Sequence, residues 1–116
     1  MSEDGEGDGI ADLLGDDYAR TILRETYGET KSVETLSEAC DADSSTVYRR
    51  VQRLQDADLL EDRQELDPGG HHYKTYRARV RAVHLRLSED GFEVSVDRRE
   101  EESAADRFTR LYEGFR

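Results

Sequence analysis

The chain of 116 residues is long enough for one hydrophobic core and too short for two, so it reads as one compact functional unit. No run approaches the roughly 20 apolar residues of a membrane-spanning helix, and the start MSEDGEGDG lacks the basic and apolar regions of a signal peptide, which predicts a soluble cytoplasmic protein without a membrane partner. The lone Cys40 excludes a disulfide framework and any zinc site built on cysteine pairs, and the net charge of -11 ordinarily argues against nucleic acid.

Residues 1–9, Gly-rich and acidic, bury too little apolar surface to offset their ordering entropy, and a disordered tail is expected there. Ile10, Leu13, Leu14, Tyr18, Ile22, Leu23 and Tyr27 recur at helical spacing, with a break expected near Gly15 and a stop at Gly28. Ser32 stands as N-cap of a short second helix whose Val33, Leu36, Ala39 and Cys40 form one buried face. After the tight connection Asp41-Ala42-Asp43, Ser44 is expected to cap a third helix that turns Val47, Val51 and Leu54 inward and ends at Asp58.

Leu59 to Leu66 and His71 to Ala78 read as antiparallel strands joined by Asp67-Pro68-Gly69-Gly70. Alternation of Val83, Leu85 and Leu87, a turn at Ser88 to Gly91, and renewed alternation of Phe92, Val94 and Val96 predict a second hairpin. From Glu100 to Phe115 the acids crowd the first turn, while Ala104, Phe108, Leu111, Tyr112 and Phe115 form an apolar stripe, the pattern of a terminal amphipathic helix. The expected architecture is α+β: a winged helix-turn-helix over residues 10–80, then an additional C-terminal β-hairpin and terminal helix, residues 81–116, in the same compact unit.

In such an order the second helix of the turn pair enters the major groove of DNA. At 100° per residue Ser45, Arg49, Gln52 and Arg53 point outward and Thr46, Tyr48 and Arg50 lie on the flanks. Arginine can grip a guanine edge or a phosphate, and Ser44, Ser45 or Thr46 at a helix start can donate to phosphate beside free backbone amides. In the hairpin, Arg63, His71, His72 and Lys74 lie near a slim Gly-Gly tip suited to a minor groove or its phosphates, Arg63 and Lys74 being the stronger candidates. The competing reading of all these residues is a solvated face. Charge distribution favours DNA: residues 1–17 carry seven acids and no base, whereas residues 44–81 carry six acids and eight bases. His71 and His72 point to opposite faces of a strand, which speaks against a shared metal.

Leu36-Ser37-Glu38-Ala39-Cys40-Asp41 and the run Ser44-Ser45-Thr46-Val47-Tyr48-Arg49-Arg50-Val51-Gln52-Arg53-Leu54, continued by Ala57-Asp58-Leu59-Leu60-Glu61, resemble the two helices and strand entry of ArsR-type archaeal winged-helix regulators. The resemblance covers roughly residues 10–80. It implies a homodimer on a palindromic promoter site, and some relatives of this build govern responses to oxidative stress. Metal-sensing members carry a cysteine pair that this chain lacks, and residues 83–97 lie outside the shared core.

The cations divide into 15 Arg and only Lys31 and Lys74. Lys scarcity with carboxylate excess resembles the proteins of salt-accumulating archaea. At molar salt the Debye length shrinks to about 3 Å, so carboxylate repulsion is screened and bound salt cations can occupy the acidic surface. The stripe Phe108, Leu111, Tyr112 and Phe115 then offers a dimerisation surface. Cys40 could act as a redox sensor if exposed and ionised, yet Glu38, Asp41 and Asp43 disfavour a thiolate and the residue occupies the apolar stripe of the second helix. No phosphate loop, activated nucleophile or cofactor motif stands out, so an enzyme is not expected. The rival function is a protein-interaction module on a winged-helix scaffold that does not bind DNA.

Overall fold

The computed structural model describes residues 9–99. Most of the expected acidic tail and the whole expected helix Glu100 to Phe115, with Phe108, Leu111, Tyr112 and Phe115, lie outside the described residues; Gly9, assigned to the tail by composition, is already helical. Residues 9–14 form α1, followed by α2 (Asp17–Thr26), α3 (Val33–Cys40), α4 (Ser44–Asp56), β1 (Leu60–Leu66), β2 (His72–Ala78), β3 (Val80–Ser88) and β4 (Gly91–Arg98).

The break near Gly15 divides the first helical stretch completely. Gly15 N–H still donates to the Ala11 and Asp12 carbonyls at 3.0 and 3.1 Å, but Asp16 is extended, and its carboxylate accepts the Ala19 N–H at 2.8 Å. A side-chain oxygen thus satisfies a donor that the new helix leaves unpaired. Helix α2 stops at Thr26, before Gly28, and the buried Thr26 hydroxyl donates to the Ile22 carbonyl at 2.7 Å.

The turn between α3 and α4 is built by three residues. Ser32 caps α3 as expected, accepting the Thr35 N–H at 3.3 Å. Asp41 closes the helix in the left-handed conformation, φ 51°, which lets Ala42 N–H donate to the Ser37 carbonyl at 3.1 Å. The cap of α4 is Asp43 and not Ser44, which is the first helical residue. The Asp43 carboxylate accepts both the Thr46 N–H at 2.8 Å and the Ser45 hydroxyl at 3.1 Å, a pair of bonds that one serine oxygen cannot match so readily. At the other end Asp58 adopts φ 60°, and Leu59 N–H donates to the Leu54 carbonyl at 2.9 Å, turning the chain into β1.

These turns bring the inward faces together. Ile10 and Leu13 of α1, Ala19 and Ile22 of α2, Leu36 of α3, and Val47, Val51 and Leu54 of α4 meet Leu59, Leu60, Tyr76 and Val80 in one core. Strands β1 and β2 pair antiparallel from Leu60↔Ala78 to Leu66↔His72. Lys31 adds a one-residue third strand, exchanging backbone hydrogen bonds with Tyr76 at 3.0 and 2.8 Å. The second hairpin pairs β3 with β4 from Val80↔Arg98 to Ser88↔Gly91.

The second hairpin is fastened at its base. Arg79 N–H donates to the Leu59 carbonyl at 2.8 Å, and the Arg98 guanidinium donates to the Ala57 and Asp58 carbonyls at 3.0 and 2.9 Å. Arg99 donates to the Tyr27 carbonyl at 2.7 Å and lies 5.4 Å from the Tyr27 ring centre. Two arginines thereby occupy the negative C-terminal ends of α4 and α2, where helical carbonyls lack partners.

Candidate nucleic-acid interface

Burial of Val47, Val51 and Leu54 fixes the roll of α4 and sends the opposite face outward. Ser44, Ser45, Tyr48, Arg49, Gln52 and Arg53 are exposed, while Thr46 and Arg50 are half-buried at the flanks. Arg49 and Arg53 stand four residues apart on one helix face, and neither forms an ion pair or hydrogen bond among the described residues.

Arg50 is employed differently. Its Nε and Nη2 donate to the two Asp16 carboxylate oxygens at 3.0 and 3.3 Å, and the guanidinium lies 5.6 Å from the Tyr18 ring centre. Burial pushes the Asp16 carboxyl up, but bonds from Arg50 and the Ala19 N–H, with the charges of Arg50 and Arg53, outweigh it and leave the group below the usual carboxylate range. A bidentate pair of this kind clamps the middle of α4 to the start of α2. Asp16 was absent from the sequence-derived candidates. An aspartate after a glycine in a broken helical pattern is a legible cap signal, but its partner 34 residues away is not.

In the wing, Arg63 stands opposite Thr75 and Lys74 opposite Gln64. Adjacent strand residues face opposite ways, so the two cations flank the wing on different faces. Each already meets a carboxylate of its own hairpin: Arg63 Nη2 lies 3.6 Å from Glu61, and Lys74 Nζ lies 3.6 Å from Asp62. His71 sits 3.5 Å from Asp67 through Nδ1, and its backbone N–H donates to the same carboxylate at 2.9 Å. His72 pairs with Leu66 at the first position of β2. Among the described residues no group of three or more His, Cys, Asp or Glu side chains could hold a metal ion. An open groove of about 480 Å³ separates the start of α3 from the wing, lined by Ser32, Glu34, Tyr73 and Lys74 among others.

Cys40 is half-buried, and its thiol approaches the Tyr18 carbonyl at 3.9 Å. Burial above all, then the charges of Asp16 and Glu25, push the thiol up from its ordinary value, which depletes the thiolate at neutral pH. Alkylation of Cys40 at pH 7 is accordingly expected to run slower than that of a free cysteine. A rate equal to that of free thiol, measured by mass spectrometry over time, would contradict the raised thiol, and a faster one would show an activated cysteine.

The three-residue turn between α3 and α4, the exposed α4 face and the β1–β2 hairpin define an α+β winged helix-turn-helix, here extended by a second hairpin. Residues 14–63 match the family described as helix-turn-helix domain, from the end of α1 into β1. A solved structure, described as a possible transcriptional regulator from Methanosarcina mazei Go1, is similar with a TM-score of 0.51 and 23% sequence identity, over 61% of this chain and 62% of that one. The likeness is one of fold and spans less than two thirds of that protein. No curated protein matches the sequence. No described helix is long and apolar enough to cross a membrane.

Proposed function

We propose that the chain is a non-enzymatic, sequence-specific DNA-binding transcriptional regulator that acts as a homodimer at promoters in a high-salt cytoplasm. The observation that carries this reading is the contrast between Arg49 and Arg53, on the exposed face of α4 and without an ion pair or hydrogen bond among the described residues, and the cations Arg50, Arg63 and Lys74, each paired with a carboxylate. Free guanidinium groups on a helix held rigidly by its buried side are suited to base edges and phosphates of a major groove. Ser44, Ser45, Thr46 and Tyr48 would meet the flanking backbone, Arg50 would hold the helix in place, and Arg63, His71 and Lys74 would follow phosphates on either side of the wing. Phe108, Leu111, Tyr112 and Phe115 would join the two copies, which sets the recognition helices one DNA turn apart. The archaeal ArsR-type resemblance supports the assignment and suggests a stress-responsive regulator.

Fluorescence anisotropy with genomic promoter fragments in about 2 to 3 M KCl tests it, within the screened regime where an acidic surface tolerates DNA. Specific binding is expected. Because salt cations are taken up between carboxylates and phosphates, affinity should fall more gently with salt than the roughly -0.9 of log-log slope per neutralised phosphate seen in ordinary counterion release. A steep ordinary slope would contradict the cation-uptake account. Absence of binding to any fragment would favour the protein-interaction module.

A further inference from the structure

Helix α4 and the second hairpin meet at Asp58. This residue turns the chain out of the helix in the left-handed conformation, φ 60°, and its carboxylate receives two guanidinium groups from the hairpin base, that of Arg79 and, at 3.5 Å, that of Arg98. Arg98 also holds the backbone of the same turn, donating to the Ala57 and Asp58 carbonyls at 3.0 and 2.9 Å. Ala57 N–H in turn donates to the Arg53 carbonyl at 3.1 Å. Ala57 therefore links the second hairpin to an arginine of the exposed α4 face. The hairpin base is a firm support, because Val80 is buried and Val83, Val94 and Val96 pack on the core.

Beyond its buried face, α4 is thus gripped at two places. Asp16 holds it at Arg50 and Arg98 holds it at Ala57; Arg53 lies between these grips, whereas Arg49 lies before both. Carbonyls at a helix end have no partner within the helix, so the last turn frays first unless a donor reaches it from elsewhere. Fraying would break the bond from Ala57 to Arg53 and spread the Arg53 side chain over many positions, and ordering it again would cost binding free energy.

We infer that Arg98 is a positioning residue for DNA recognition: by holding the last turn of α4 from the second hairpin it fixes Arg53 in place, which couples the hairpin to the DNA-binding face. This rests on the regulator reading and adds a working part to it. Such coupling is reciprocal, so DNA on α4 steadies the hairpin base as much as the base steadies α4.

The test is a double-mutant cycle in the full chain: wild type, Arg98→Ala, Arg53→Ala and the double variant, read by anisotropy with promoter DNA, with thermal unfolding to fix the folded fraction. Arg98→Ala is expected to weaken binding about tenfold, within the range for residues that act on a site they do not touch. In the Arg53→Ala background the same change should cost no more than about twofold, because the side chain it positions is gone. Equal losses in both backgrounds would overturn the proposal, since Arg98 would then act through general stability or through DNA contacts of its own. Full affinity in Arg98→Ala beside lost affinity in Arg53→Ala would overturn it too. Asp58→Asn is the second variant, should Arg98→Ala not fold. Asparagine tolerates the left-handed backbone and removes only the carboxylate, so a smaller loss with the same dependence on Arg53 is expected.

Hydrogen exchange without DNA reads the hold on α4 independently of the regulator function. Arg98→Ala should speed exchange of the Ala57, Asp58 and Leu59 N–H groups, which are bonded to the Arg53, Gln55 and Leu54 carbonyls, and leave Val51 in mid-helix unchanged. Unchanged protection of the last turn would overturn the proposal. Lost protection in a protein whose wild type binds no DNA would overturn it together with the regulator reading, leaving Arg98 a structural cap.

Discussion

Replacing Arg49 and Arg53 together by alanine is expected to weaken specific DNA binding by about 30-fold to 10⁴-fold while leaving the fold intact. Each well-formed arginine contact to a base or phosphate is worth about 1 to 3 kcal/mol, and a factor of ten corresponds to about 1.4 kcal/mol. The range therefore follows from losing two contacts, which share a helix face and need not add strictly. Stability should change little, because both side chains are exposed and unpaired among the described residues and alanine favours a helix. One coupling needs a control, since the charge of Arg53 helps to hold Asp16 ionised, so thermal unfolding is measured beside binding. Arg63→Ala provides the contrast. Its guanidinium is already paired with Glu61, so an effect within about threefold is expected, the size of a weak exposed contact. Loss of binding in the double variant with an unchanged melting curve supports α4 as the recognition helix. Equal effects from Arg63 and from the α4 pair would move recognition to the wing, and indifference to all three would remove DNA from the account.

Arg49→Lys and Arg53→Lys refine the same experiment. Lysine keeps the charge but loses the planar fork. A position that reads a guanine edge should suffer nearly as much from lysine as from alanine, whereas a phosphate contact should survive the exchange.

Several features were legible in the sequence because they depend on local pattern. The spacing of Val47, Val51 and Leu54 sets the roll of α4, and Ser32 before an apolar period reads directly as a cap. Both hairpins follow from alternation and turn residues, with Gly70 and Gly91 at φ 84° and 115° where the chain reverses. Failures concern choices between near-equal local options or contacts made across the fold. Asp43 and Ser44 are adjacent good caps, and only the number of donors each could satisfy decided for Asp43. The helical projection puts Arg50 on the flank of α4 and Arg53 on its outer face, but that Arg50 is engaged by a carboxylate depends on Asp16, 34 residues away, which the projection does not show. Arg98 and Arg99 carried no recognisable motif. Their role as caps of α4 and α2 exists only because β4 ends beside two helix C-termini.

Asp16→Ala is expected to lower stability by about 2 kcal/mol, from two separable losses. Removing an N-cap costs about 1 kcal/mol, and leaving Arg50 without its carboxylate costs about as much again for a charge-assisted pair that is three-quarters buried. For a unit of this size the melting temperature should fall by about 8 to 16 °C. Asp16→Asn separates the terms, because asparagine caps a helix well but carries no charge. It should lose about half as much, and a loss equal to that of alanine would assign the whole effect to the ion pair. Acid titration supplies an independent reading. The folded carboxyl lies below its ordinary value of 3.8, so its stabilisation is complete above the unfolded value and disappears as pH falls through the lower folded one. Wild type should therefore stay separate from Asp16→Asn above about pH 4, begin to approach it as pH falls below that, and meet it only below the lowered folded value. Parallel curves at every pH would mean that Asp16 does not clamp α4, and the placement of Arg49 and Arg53 would need another cause.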